Sequence, residues 1–75
     1  MIDIDYALKV LQVQMEVGFE VAHVRHSDLQ EVRAEIETKL SFLFELNLLD
    51  KEEYFSMLEY IRKTYEEEKR KEGAA

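Results

Sequence analysis

The chain contains no cysteine and no proline, and it has only two glycines. Without cysteine it can form no disulfide, no thiolate zinc site and no cysteine nucleophile. The lack of proline and the scarcity of glycine mean that few sharp turns are encoded. No apolar run approaches the ~18 residues that a membrane-spanning helix needs. Basic residues are also outnumbered, since 10 Lys and Arg against 17 Asp and Glu give a formal net charge of −7. That charge argues against binding to a phosphate backbone.

The residues that are present are typical of a small folded protein. The 75 residues are 47% hydrophobic and 36% charged, which is a globular composition and not a disordered one. We therefore expect one helical domain over residues 1–75, with residues 72–75 as a frayed tail. A chain of this size buries only about 60–65% of its unfolded surface, so association is a favoured source of stability. The N-terminal residues do not resemble a secretory signal, and we expect a cytoplasmic protein.

The later two thirds of the chain carry two helical patterns. From Leu29 onwards, apolar residues recur every three or four positions and predict a helix over residues 28–46, and a similar series predicts another over residues 51–71. Capping boxes are predicted at the start of both helices, pairing Ser27 with Gln30 and Asp50 with Glu53. Asn47 can take the left-handed conformation that ends the first of these helices. The short connection predicts an antiparallel helical hairpin.

The first segment can be read in two ways. Between Leu11 and Val21 apolar and other residues alternate without interruption, which is typical of a strand. A strand of that length would exceed the usual ~5–6 residues, and no turn signal offers it a partner within the chain. We therefore favour a helix over residues 4–24 and an all-α protein of three helices. The alternative is that residues 10–24 form an intermolecular β-ribbon that carries the helical hairpins.

The sequence offers little for catalysis. There is no nucleophile elbow, no glycine-rich phosphate loop and no serine–base–acid set, so we predict no catalytic residue and no cofactor. Glu20 and His23 have the Glu-x-x-His spacing of dinuclear metal sites in four-helix bundles. A small metal-binding bundle is therefore an alternative function. The more ordinary interpretation is a solvated polar helix face, and we assign no metal ligand.

The excess of acidic residues belongs to the first two segments. Residues 1–50 carry 10 acidic and 4 basic residues, and such a surface can attract a basic protein through long-range electrostatics. An acidic helix surface can also imitate a row of phosphates, so an inhibitor that mimics nucleic acid is an alternative function. The candidate acidic face comprises Glu16, Glu20, Asp28, Glu31, Glu35 and Glu45. The basic cluster of residues 69–71 suits a helix C-terminus, so direct nucleic-acid binding is not expected.

A second apolar stripe on the first helix is the most informative feature of the sequence. Val10, Val13, Val17 and Val21 lie roughly 180° from the stripe that contains Leu8, Leu11 and Met15. The helical hairpin can cover only one stripe, and leaving four valines in water would forgo about 6–8 kcal/mol per chain. We therefore predict a homodimer or higher oligomer. The predicted interface comprises Val10, Val13, Val17 and Val21, together with Phe42 and Tyr60, which also lie off the core stripes.

The turn between the last two predicted helices has the sequence Leu-Asn-Leu-Leu-Asp, over residues 46–50. In this turn and its leucine spacing the chain loosely resembles small helical hairpin proteins, including plasmid RNA-binding regulators of the Rop type. The resemblance implies an RNA-binding regulator as a further alternative. From the residues themselves, we expect a non-catalytic protein-interaction module, an adaptor, regulator or inhibitor, that associates with itself and with a basic partner.

Overall fold

The computed structural model describes residues 3–73, and within that range the chain forms three α-helices. They are α1 (Ile4–Arg25), α2 (Leu29–Glu45) and α3 (Lys51–Gly73). The all-α prediction is confirmed, and the strand alternative for residues 10–24 is wrong. Residues 72 and 73 of the predicted frayed tail belong to α3, whereas residues 74 and 75 lie outside the described range.

The alternating pattern of the first segment is explained by helix geometry. In a helix, two steps along the chain rotate the side chain by about 200°, so alternate residues fall on nearly opposite sides. The buried side holds Leu11, Met15 and Phe19, and the exposed side holds Val13, Val17 and Val21. An uninterrupted alternation therefore gives two apolar stripes when the backbone is helical, and only one of them contributes to the core of this chain.

The boundary between α1 and α2 differs from the predicted one. His26 has a left-handed backbone with φ of 56°, and the Ser27 amide closes α1 by donating to the Ala22 carbonyl at 2.9 Å. The N-cap of α2 is Asp28, whose Oδ1 accepts a hydrogen bond from the Gln30 amide at 2.9 Å. The predicted Ser27 cap is wrong because the left-handed turn at His26 makes α2 begin at Leu29, so that Asp28 is the N-cap.

The boundary between α2 and α3 is the one that the sequence predicts. Asn47 has φ of 60°, and the Leu48 amide donates to the Leu43 carbonyl at 3.1 Å, which together close α2 in a Schellman motif. At the start of α3, Asp50 Oδ1 accepts from the Glu53 amide at 2.8 Å. The Glu53 carboxylate accepts in return from the Asp50 amide at 3.4 Å. The capping box is confirmed.

The core lies where the three helices meet. Helix α2 lies close to both α1 and α3, while α1 and α3 meet chiefly through side chains. The predicted core stripes are found inside the molecule, and the buried residues are Leu11, Met15, Phe19, Ala22, Leu29, Ile36, Leu40, Leu49, Met57 and Ile61. The molecule measures 43 × 19 × 16 Å, so each helix presents a long outer face.

Candidate interaction surface

The outer side of α1 is an apolar stripe, which we call the valine face. It comprises Tyr6, Val10, Val13, Val17, Val21 and Val24. Val13 is 54% exposed and Val17 is 51% exposed. The spacings of four, three, four, four and three residues average 3.6, which is the period of a straight helix. The stripe therefore stays on one side of α1 along its whole length.

The free energy that the valine face could still gain is smaller than full exposure would suggest. A fully exposed valine forgoes about 1.5–2 kcal/mol relative to a buried one. Val10 is half-buried within the chain, and Val13 and Val17 are each about half exposed. The predicted gain of about 6–8 kcal/mol for the four valines therefore falls to about 2.5–3.5 kcal/mol per chain. This remains a large fraction of the stability of a small domain.

A groove between α1 and α2 borders the valine face. Gly18 of α1 lies against Val32 of α2, and an ideal Cβ at position 18 would lie only 2.8 Å from Val32 Cγ1. Glycine at this position allows the two helices to pack closely. Further along, Lys39 Nζ donates to Gln14 Oε1 at 3.1 Å. These two contacts fix the antiparallel register of α1 and α2.

The groove has a different character at its two ends. Beside Val17 and Val21, a hollow of about 540 Å³ has Glu31 and Glu35 of α2 on its far wall. At the other end, a hollow of about 610 Å³ is lined mostly by apolar side chains, with Tyr6 and Val10 on α1 facing Phe42 and Leu43 on α2. Phe42, 59% exposed, therefore extends the valine face onto α2.

The structure brings together only part of the predicted interface and acidic face. The four predicted valines and Phe42 adjoin one groove, whereas Tyr60 lies on α3 and is partly exposed. The acidic residues line three different clefts: Asp28, Glu31 and Glu35 beside the valine face, Glu16 and Glu20 between α1 and α3, and Glu45 between α2 and α3. They do not form one continuous row.

His23, the histidine of the Glu-x-x-His pair, contacts α3. His23 Nε2 lies 3.0 Å from Glu68 Oε1, and Lys71 Nζ lies 2.7 Å from Glu68 Oε2. The hydrogen bond from Lys71, and secondarily that from His23, holds the pKa of Glu68 below its ordinary value against the opposing effect of burial. His23 therefore links α1 to α3. Within residues 3–73, no three His, Asp or Glu side chains are grouped so that they could hold a metal ion.

Two further observations concern the composition of the core and the apolar character of the helices. Over the described part of the chain, every buried residue is apolar, which is typical of a packing core. Across residues 3–73, none of the three helices combines the length and the apolar character needed to cross a bilayer.

Comparison with protein-family models, with curated protein sequences and with solved structures found no match. The resemblance of the hairpin turn to Rop-type regulators therefore gains no support from these comparisons.

Sequence reasoning missed several residues that shape this surface. Gly18 was not recognised as a contact point, although a glycine inside a helix is a signal of close packing. Tyr6 and Val24 lie on the same helical stripe in the sequence but were left out of the predicted interface, and they extend the valine face by a turn at each end. Glu68 could not be found, because it lies 45 residues from His23 and only the fold brings the two together.

Proposed function

We propose that this chain is a non-catalytic protein-interaction module that associates with a second copy of itself through the valine face. The observation that carries the proposal is the unbroken apolar stripe of α1, half exposed in residues such as Val13 and Val17. Single exposed apolar residues are common on proteins, but a continuous apolar stripe is typical of an interface.

The size of the surface supports a dimer. The 22 residues of α1 span about 33 Å at ~1.5 Å per residue. With the neighbouring groove, a strip ~20 Å wide would bury about 650 Å² on each chain, or about 1,300 Å² in a two-fold contact, which is in the range of specific interfaces. A symmetric dimer is the commonest closed arrangement of identical chains.

The charge of the module supports a role in recruiting a basic protein. The net charge is −7, and the exposed carboxylates beside the valine face add to a negative surface potential that steers a cationic partner. We infer that the dimer acts as an adaptor, regulator or inhibitor of such a protein. We place it in the cytoplasm as part of the same proposal, since a chain without cysteine has no disulfide that requires an oxidising compartment.

Light scattering on paired variants tests the proposal. In Val13→Glu with Val17→Glu, charges replace half-exposed valines, and we expect a monomer that keeps its helicity because glutamate is the better helix former. Phe55→Glu is the matched control, since Phe55 is 53% exposed on α3, away from the valine face. If the valine-face variant and the control have the same mass as the unaltered chain, the valine face is not the interface.

A further inference from the structure

We propose that the second copy binds the valine face in antiparallel orientation, around a two-fold axis that passes beside residues 15 and 16 of α1. The inference rests on the proposed function of this face and names the orientation of the partner. It follows from the charges on either side of the valine face and from their positions along α1.

The valine face has a charged rim on each side. On the rim away from α2 lie Lys9, Glu16 and Glu20, all exposed and within about 40° of one another on the helical wheel. The opposite rim is the exposed surface of α2, with Asp28, Glu31, Glu35 and Lys39 lining the groove, and Arg25 of α1 lies at its Asp28 end.

The positions of these charges along α1 follow from the register of the two helices. The contact between Gly18 and Val32 and the hydrogen bond between Gln14 and Lys39 set α2 antiparallel to α1. Glu31 and Glu35 therefore lie level with the segment 16–20 of α1, and Lys39 lies level with residues 13–14. On both rims the carboxylates lie toward the C-terminal end of α1. The lysines of the two rims, Lys9 and Lys39, lie toward its N-terminal end.

A parallel contact would oppose like charges. In that arrangement each residue of α1 lies level with its own copy, and the outer rim of one chain faces α2 of the other. Glu16 and Glu20 would then face Glu31 and Glu35 of the second copy, twice over in the dimer. Like charges placed opposite each other at an interface disfavour that pairing.

An antiparallel contact opposes fewer like charges and adds opposite pairs. Glu16 and Glu35 each lie level with their own copies beside the axis, so one like pair remains on each rim, against two on each rim in the parallel arrangement. Around an axis beside residues 15 and 16, position 10 lies level with position 21 of the second copy, and each rim faces its own counterpart. Lys9 then lies within about 3 Å along the helix axis of the level of Glu20 in the second copy.

Lys39, whose side chain is 43% exposed and lies 3.3 Å from Glu35 of its own chain, lies level with the segment between Glu31 and Glu35 of the second copy. The apolar hollow beside Val10 and Phe42 also faces Val21 of the second copy.

Disulfide trapping tests the orientation directly, because the chain has no cysteine of its own. Val10→Cys and Val21→Cys keep a small apolar side chain at each position. We expect an equimolar mixture of the two variants to oxidise to a mixed disulfide dimer. Val10→Cys alone should not cross-link, since its two copies would be about 16 Å apart along the helix axis, whereas a disulfide needs Cα atoms within ~7 Å.

The outcomes separate this inference from the proposed function. Disulfide dimers of Val10→Cys alone would show a parallel contact and overturn the inference. Dimers seen in solution without any cross-link in the mixture would place the interface elsewhere and overturn it as well. A monomeric unaltered chain would instead refute the proposed function itself.

Charge reversal provides a second readout that leaves the apolar contact intact. Lys9→Glu, at a lysine exposed on the rim of α1, should raise the dissociation constant of the dimer by about 3- to 10-fold, the scale of exposed ion pairs. The matched control is Lys63→Glu, which makes the same change of charge on α3 at a lysine that is 65% exposed. Equal effects of the two substitutions would contradict the antiparallel pairing.

Discussion

Replacing Gly18 with alanine tests the packing of α1 against α2, on which the valine face and its groove depend. The added Cβ would lie 2.8 Å from Val32 Cγ1, well inside the ~3.5–4.0 Å at which carbon atoms pack. Valine is stiff at χ1 and cannot easily turn away. Overpacking typically costs about 1–3 kcal/mol, whereas alanine gains only ~1 kcal/mol over glycine in a helix. We expect a net loss of about 1 kcal/mol in the free energy of unfolding.

The same substitution should change sign when Val32 is truncated. In a Val32→Ala background the clashing Cγ atoms are absent, so Gly18→Ala should stabilise the chain by ~1 kcal/mol through helix propensity alone. Urea unfolding followed by circular dichroism measures the free energy of unfolding of the unaltered chain and the three variants, at one protein concentration because association adds to apparent stability. Gly73→Ala is the control, since nothing lies within 4 Å of a Cβ there. If Gly18→Ala stabilised both backgrounds equally, the close approach of α1 and α2 would be refuted.

Four further substitutions test three local features by urea or thermal unfolding at fixed protein concentration. Asp28→Ala should lower the free energy of unfolding by about 1 kcal/mol because a helix cap is lost. Ser27→Ala should change it by less than ~0.5 kcal/mol, and the reverse ranking would make Ser27 the cap. His26→Gly should stabilise by about 0.5–1 kcal/mol because glycine takes a left-handed backbone without strain, and a loss would contradict that conformation. Lys71 lowers the pKa of Glu68 in the folded chain. The ionised carboxylate therefore stabilises the fold at any pH above the unfolded pKa of ~4.3, and this stabilisation is lost as the pH falls through the lower folded pKa. Glu68→Gln should therefore melt below the unaltered chain at pH 7, with the difference shrinking as the pH falls through the folded pKa, and equal melting at pH 7 would contradict the contact.

The helical hairpin could be predicted from the sequence because its signals are local. The spacing of Leu29, Ile36 and Leu40 places them on one side of a helix, and all three are buried. The capping box of Asp50 and Glu53 likewise needs only residues three apart. Such signals depend on the backbone of a single helix and not on how the helices are arranged.

The remaining features depend on contacts between helices. Ser27 and Asp28 are both good capping residues, and the choice between them is made by the left-handed His26 that ends α1. Phe19 and Met57 are buried because the orientation of each helix against the other two turns these side chains toward the core. Sequence position also could not show that the acidic residues face three different clefts.

Sedimentation equilibrium of the unaltered chain tests the central claim most directly. The account predicts that the molecular mass rises with concentration towards at least twice the 9.0 kDa of one chain, with association complete by ~100 μM, well above the micromolar dissociation constant equivalent to about −8 kcal/mol. A mass of 9.0 kDa at every concentration up to ~100 μM would contradict the claim that the valine face of α1 is covered by a second copy of the chain.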